Sequence, residues 1–350
     1  MATDYFEEIF NSTFFNIIKK DDVFIVKLNN DNNLLISSWL NGGICHNMDA
    51  VVNQSIGETD YDDLLNMDYD SFQMKKFNNL GLNSSKTTGL LTSACMDNYA
   101  ISTKKYERLE VTSIVTAGAD KNAVKAGDTA SFYEYDNHYF THFGTINIIT
   151  LINANLNDGA LVTASITATE AKTSVLQDLK IESQYSNFIA TGTGTDGICI
   201  VSNKNSSNHL ENAGKHSKLG ELIAKTVQEA TTEALYLQTF MSKEFQTTVL
   251  SRLSRFGITF DNFYKGNVNR LDYATKFYAF NNNPENVAFV SSIINLIDEV
   301  QTGLLKLSDV IYLIQKIINS YLEVNIDKKI EYKEDIIDLL IDSINQHLFD

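Results

Sequence analysis

The sequence predicts an α+β fold, a mixed β-sheet with packed helices over residues 1–240, followed by an all-α extension over 241–350. Short apolar runs bounded by Gly, Asn and Asp recur through the first part and read as strands. Two longer stretches there carry apolar residues at three- and four-residue spacing and read as amphipathic helices. Beyond residue 241 the composition shifts to Ile, Leu, Asn and Asp, with helical periods throughout.

Taken in order, Val23–Leu28 and Leu34–Trp39 flank a turn-rich Asn/Asp cluster and predict a β-hairpin. Asp60–Leu80 predicts a helix, acidic in its first turn and basic at Lys75 and Lys76 near its end, as the helix dipole favours. Leu90–Ala94, Val111–Ala117, Ile146–Asn153 and Ile198–Ser202 predict strands. In Asp158–Leu179 the stripe is Leu161, Ala164, Ala168, Ala171, Val175 and Leu179. In Ser217–Leu237 it is Leu219, Leu222, Ile223, Ala230, Ala234 and Leu237, with Ser217 as N-cap. The extension predicts helices over Phe245–Arg255, Val287–Thr302, Ser308–Leu322 and Lys333–Leu348, with Pro284 at a break just before one of them.

Composition narrows the classes. At 350 residues and 43% apolar, the chain can build one large domain or two. Its 28 basic residues against 44 acidic give a net charge of −16, which repels phosphate backbones and anionic lipid. Neither nucleic acid nor membrane insertion is expected. There is one proline, where average usage of about 5% predicts roughly 17, so Pro-rich tethers are excluded. Cys45, Cys95 and Cys199 are odd in number and outside any C-x-x-C pattern, which argues against disulfides and thiolate zinc. Met1–Phe10 carries Asp4, Glu7 and Glu8 rather than a basic, then apolar leader, and no 18-residue apolar run occurs. A cytoplasmic protein is expected.

The residues that can carry chemistry lie between Thr116 and Leu222. Glu170 shares a helical stripe with Thr163, Thr167, Ser174 and Gln177. Helical carboxylates usually face water, but short hydroxyl neighbours in place of Lys, Arg and Gln point to a carboxylate set in a pocket, suited to a general base. Ala190-Thr-Gly-Thr-Gly-Thr195-Asp196 alternates glycine with threonine, so backbone N–H groups can approach a ligand as in an oxyanion nest. It lacks P-loop spacing, and a tight inter-strand loop explains it equally well. Lys215, His216 and Lys218 surround a helix N-terminus and oppose its dipole, which suggests an electropositive site. His216 is the best-placed proton carrier. His138 and His142 stand four apart, but their aromatic neighbours make that segment strand-like, and His46, His209 and His347 have no partners at ligand spacing. No metal site is expected. No G-x-S-x-G elbow is present, so serine catalysis is not indicated.

Eight motifs occur together in a fixed order: Asn41-Gly42-Gly43, Val51-Val-Asn53, Gly89-Leu-Leu-Thr92, Thr116-Ala-Gly118 with Asn122-Ala, Gly144-Thr-Ile-Asn147-Ile148, Thr167-Ala-Thr-Glu170-Ala-Lys172, the Ala190–Asp196 loop, and Gly214-Lys-His-Ser-Lys-Leu-Gly-Glu221. The series resembles the adenosylcobinamide amidohydrolases, the CbiZ family, over roughly residues 36–235. The match is poorest before residue 36 and absent from about 241. The resemblance implies removal of the aminopropanol arm from adenosylcobinamide to give adenosylcobyric acid, a step of corrinoid salvage. The corrinoid is then the small-molecule partner, and its cobalt belongs to the substrate; no protein cofactor is implied.

Hydrolysing an amide takes an activated water, stabilisation of the tetrahedral oxyanion and a proton for the departing amine. Residue chemistry assigns the base to Glu170 and the acid to His216, with Asp196 as orienter. Lys172 either pairs with a carboxylate of the site or snorkels at the helix edge, and it is placed with the site because it belongs to the motif. The amides of Thr191, Gly192, Thr193, Gly194 and Thr195, helped by Lys215 or Lys218, would hold the oxyanion. Asn41, Asn53, Asn122 and Asn147, beside Gly42 and Thr116, would meet the amides around the corrin rim. A non-catalytic corrinoid-binding module and an amidase for another small amide remain alternatives, and a homo-oligomer is compatible with the sequence.

Overall fold

Strand and helix ranges follow from where apolar alternation gives way to turn residues. The structure, a computed structural model, describes residues 6–29, 31–57, 60–130, 133, 145–266 and 269–349. The chain divides into two compact units, residues 1–242 and 243–350.

In the first unit the strands are β1 (Glu7–Asn11), β2 (Phe15–Lys20), β3 (Val23–Leu28), β4 (Asn32–Ile36), β5 (Gly43–His46), β6 (Ala50–Ser55), β7 (Thr87–Thr92), β8 (Ala100–Tyr106), β9 (Leu109–Ala117), β10 (Ala123–Val124), β11 (Ile146–Ile152), β12 (Asn155–Leu156), β13 (Gly192–Thr193), β14 (Gly197–Asn203) and β15 (His209–Leu210). Its helices are α1 (Asp60–Asn66), α2 (Tyr69–Asn79), α3 (Asp158–Asp178) and α4 (Lys218–Thr239). Two mixed sheets form, with strand orders β1-β2-β3-β6-β7 and β5-β4-β14-β11-β9-β8. Each has one parallel pair, β6 with β7 and β11 with β14, joined through helices as parallel neighbours require.

Period-2 alternation distributes each strand between two cores. Phe24, Val26, Val51, Leu90, Ile114, Ile149, Leu151, Cys199 and Val201 fill the layer between the sheets. Their neighbours Val111, Val115, Ile148, Ile152 and Ile200 face α3 and α4, against Leu161, Ala164, Ala168, Ile223, Val227 and Ala230. Ile18, Val23, Ile25, Ala50 and Val52 pack with Phe77 of α2 on the far side. The result is a helix–sheet–sheet–helix sandwich.

The predicted hairpin does not form: β3 pairs with β2 and β6 in one sheet, and β4 with β5 and β14 in the other. The Asn/Asp cluster is a crossover. Buried Asn32 donates to Met48 O at 2.8 Å and accepts from Met48 N at 3.1 Å, which fixes that crossover against the strand entering β6. Asp60–Leu80 is two helices, because Asp68 caps a new start by accepting from Ser71 N at 2.8 Å. Ser217 caps α4, accepting from Gly220 N at 3.0 Å.

The second unit contains α5 (Val249–Leu253), α6 (Phe260–Phe263), α7 (Arg270–Asn281), α8 (Pro284–Gln301), α9 (Leu307–Leu322) and α10 (Glu334–Phe349) around a core that includes Leu253, Phe263, Phe277, Ile293, Ile314, Ile318 and Leu340. Pro284 occupies the first turn of α8 behind the Asn283 cap. The helix expected over Phe245–Arg255 is shortened to α5 and flanking single turns, and α7 was not expected. No helix among the described residues is long and apolar enough to cross a membrane.

All three cysteines are free, and burial grades them. Cys199 lies between the sheets, where burial pushes its thiol far above the usual range. Cys45 is partly buried, its thiol also raised by burial, and donates to Asn41 O at 3.1 Å. Cys95 is exposed. Titration of the native protein with a thiol reagent is expected to show one fast thiol, lost in Cys95→Ser, with Cys199 reacting only after denaturation.

Candidate functional site

The inward-facing residues at one end of the sandwich are polar. Asn53 of β6, Thr116 of β9 and Asn147 of β11 are all buried. Asn147 Nδ2 donates to Asn53 Oδ1 at 2.8 Å and to Leu91 O at 2.9 Å, and Asn53 Nδ2 donates to Thr116 Oγ1 at 2.9 Å. This chain of bonds ties one sheet to the other. Asn147 Oδ1 is buried without a partner and leaves no room for a side chain at position 197, where a Cβ would stand 2.5 Å away. The two amide NH2 groups are thus engaged between the sheets, while Asn147 Oδ1 is left unpaired.

The loop before β14 lies at the same end. β13 pairs with β10, so Thr191–Asp196 is laid against Asn122–Val124. Asp196 gathers four donors: Lys172 Nζ from α3, Thr193 N at 3.1 Å, Thr193 Oγ1 at 2.6 Å and Ile146 N at 3.2 Å. The side chains of Lys172 and Asp196 are 6% and 14% exposed. An enclosed ion pair loses hydration that its attraction and surrounding hydrogen bonds must offset. Gly192 makes the enclosure possible, since a Cβ there would collide with Asp196 Oδ2 and stand 2.6 Å from Lys172 Nζ.

Three of the loop amides already have partners within the protein. Thr191 N donates to Val124 O, Thr193 N to Asp196 and Gly194 N to Asn122 O at 3.3 Å. Asn122 is buried under the loop, accepts from Tyr185 Oη at 3.3 Å, and would crowd a side chain at Gly194. Thr191 Oγ1 accepts from Ala126 N, and the Thr195 hydroxyl meets that of Thr145 at 2.6 Å. Thr145 lies within the Gly144–Ile148 motif but carries no role in the sequence reading, because only the fold brings it to the loop.

Glu170 stands elsewhere. It lies about 200° around α3 from Lys172, by the 3.6-residue turn, and its side chain is 48% exposed and paired with Lys215. The expected pocket is absent at this carboxylate. Of the hydroxyls that suggested it, Thr163 and Ser174 bond back to their own helix, at Gly159 O and Ala171 O, whereas buried Thr167 donates to Ala213 O in the loop before α4. The expected electropositive cluster is likewise answered in place. Lys215 pairs with Glu170, and Lys218 pairs with Glu221 while standing 4.7 Å over the Tyr106 ring. The bonds from Lys218 and Lys225 hold the Glu221 carboxyl down to about 2. His216 is exposed in the same turn.

Asn41 and Gly42 form a tight turn beyond β4. Asn41 adopts φ +51° and donates to Ser84 O at 2.8 Å and Thr87 O at 2.7 Å. A Cβ on Gly42 would collide with Ser38 O. His138, His142 and Gly144 lie outside the described residues. Among those described, no three His, Cys, Asp or Glu side chains gather as a metal-binding group.

The structure thus separates the candidates into an enclosed group around Lys172, Asp196 and the Thr191–Thr195 loop and an exposed group of Glu170, Lys215, His216 and Lys218. A family model described as adenosylcobinamide amidohydrolase, CbiZ, matches residues 7–243. The uncharacterized protein MJ1613 of Methanocaldococcus jannaschii is 38% identical over 182 residues, spanning 49% of this chain and 71% of that one. Among solved structures, the PH0078 protein of Pyrococcus horikoshii OT3 aligns over 73% of this chain and 92% of its own at 10% identity and a TM-score of 0.36, too distant to argue from. The matched span covers strands β1 to β3, which the sequence motifs left out. Over these residues the chain belongs to the CbiZ family of adenosylcobinamide amidohydrolases.

Proposed function

We propose that the chain hydrolyses the secondary amide that holds the aminopropanol arm of adenosylcobinamide, releasing adenosylcobyric acid and free aminopropanol for corrinoid salvage. The enclosed Lys172–Asp196 pair, capped by Thr193 within the family's glycine–threonine loop, is the observation that carries this reading. A fixed cation and a carboxylate side by side meet two of the reaction's needs. Lys172 Nζ supplies positive charge to the oxygen that becomes an oxyanion as water adds to the carbonyl. Asp196 receives the proton of that water on the oxygen Thr193 Oγ1 now occupies, and returns it to the nitrogen as the C–N bond breaks. Water and amide thereby become acid and amine with no other reactant. Both oxygens of Asp196 are engaged at rest, so substrate must displace the Thr193 hydroxyl.

Glu170 and His216 take no chemical step in this scheme, since α3 directs Glu170 away from the pair and Lys215 already engages it. Kinetics separate the two assignments. Asp196→Asn is expected to lower kcat by about 10²–10⁴, the usual worth of a general base. Glu170→Gln and His216→Ala should stay within about threefold, as for surface groups. The reverse ranking, in folded variants, would transfer the chemistry to the exposed group.

A further inference from the structure

Trp39, the only tryptophan of the chain, is 54% exposed and stacks on Tyr69 with ring centroids 4.3 Å apart and planes 12° from parallel. A half-exposed indole leaves part of its apolar ring in contact with water. Here hydrogen bonds pin the segment on both sides of Trp39. Ser37 exchanges two bonds with Ile198, its N donating to Ile198 O at 3.1 Å and its Oγ accepting from Ile198 N at 3.0 Å. Leu40 N donates to Gln73 Oε1 at 2.9 Å, and Leu40 O accepts from Thr88 Oγ1 at 3.0 Å. Gln73, itself fully buried, donates onward to Gly89 O at 2.9 Å. The Asn41–Gly42 turn closes the segment with the two bonds and the close Ser38 approach described above.

Trp39 is therefore a flat apolar surface held rigidly in place, two residues from a segment bonded to Ile198, which itself is two residues from Asp196. We infer that Trp39, backed by Tyr69, is the platform on which the planar face of the corrinoid macrocycle rests while its amide arm reaches the Lys172–Asp196 pair. The inference rests on the proposed reaction and adds to it a recognition element for the macrocycle itself. Stacking of a large planar ring on a preorganised aromatic surface adds affinity without specifying the ring's substituents. Trp39 is thus a positioning residue, and its loss should raise KM with little change in kcat.

The test is equilibrium dialysis of the full chain against adenosylcobyric acid, the product, which keeps the macrocycle and is not turned over. Trp39→Ala is expected to bind about tenfold or more weakly, with thermal stability unchanged, and Trp39→Phe to recover most of the affinity. Steady-state kinetics on adenosylcobinamide should show the same order in KM. Wild-type binding with equal affinity in Trp39→Ala would overturn the platform and leave the proposed reaction standing. No binding by the wild type would overturn both.

Discussion

Lys172→Met is expected to lower kcat for amide hydrolysis by about 10²–10³, the cost of removing one oxyanion-stabilising group. It should also destabilise the fold, because breaking an enclosed pair leaves Asp196 without its cation, typically at about 3–5 kcal/mol. The two effects separate in the double variant Lys172→Met/Asp196→Leu. Replacing both charges with apolar groups removes the unpaired-charge penalty, so thermal stability should return toward the wild type. Activity should stay lost, because neither the cation nor the proton acceptor remains. Recovery of turnover along with stability would make the pair a purely structural device.

Gly220→Ala should unfold the first unit more readily by about 3 kcal/mol, although helix propensity alone predicts a gain of about 1 kcal/mol for that change. The contact decides the sign. Gly220 sits in the first turn of α4, where a Cβ would collide with Gly214 O and stand 2.6 Å from Ala213 O. Both obstacles are backbone, so relief requires moving the helix start, with its Ser217 cap, away from the preceding loop. Thr167 Oγ1 of α3 donates to Ala213 O at 2.9 Å, so the shift would spread to both helices. Urea denaturation measures the loss directly; a midpoint equal to or above that of the wild type would show that the loop yields cheaply.

The sequence showed its local features well and its non-local ones poorly. Ser217 reads as a cap because its partner is three residues away, and the α3 and α4 stripes read as helices because periodicity is local. Strand pairing is not. The runs now seen as β3 and β4 are close in sequence yet lie in different sheets, which nothing short of the whole sandwich determines. Asn32 looked like a turn residue and is a buried anchor. α7 did carry a readable signal, with Asn269 as its cap and Tyr273, Phe277 and Phe280 at helical spacing.

The site followed the same division. The motif series named the family, and ordered motifs survive ignorance of the fold. Roles within the motifs depend on which side chains the fold encloses. Glu170 drew attention through its hydroxyl neighbours, of which Thr163 and Ser174 bond back to their helix and Thr167 to the loop before α4. Lys172 looked secondary, yet it is the buried one, because its partner Asp196 lies 24 positions along the chain and meets it only through the β11–α3–β14 crossover.

The central claim is tested most directly by incubating the purified full chain with adenosylcobinamide and analysing the mixture by mass spectrometry. Equimolar aminopropanol and adenosylcobyric acid, formed by the wild type and reduced at least a hundredfold in Asp196→Asn, are the expected result. Corrinoid recovered bound and intact would contradict it and make the chain a binding protein.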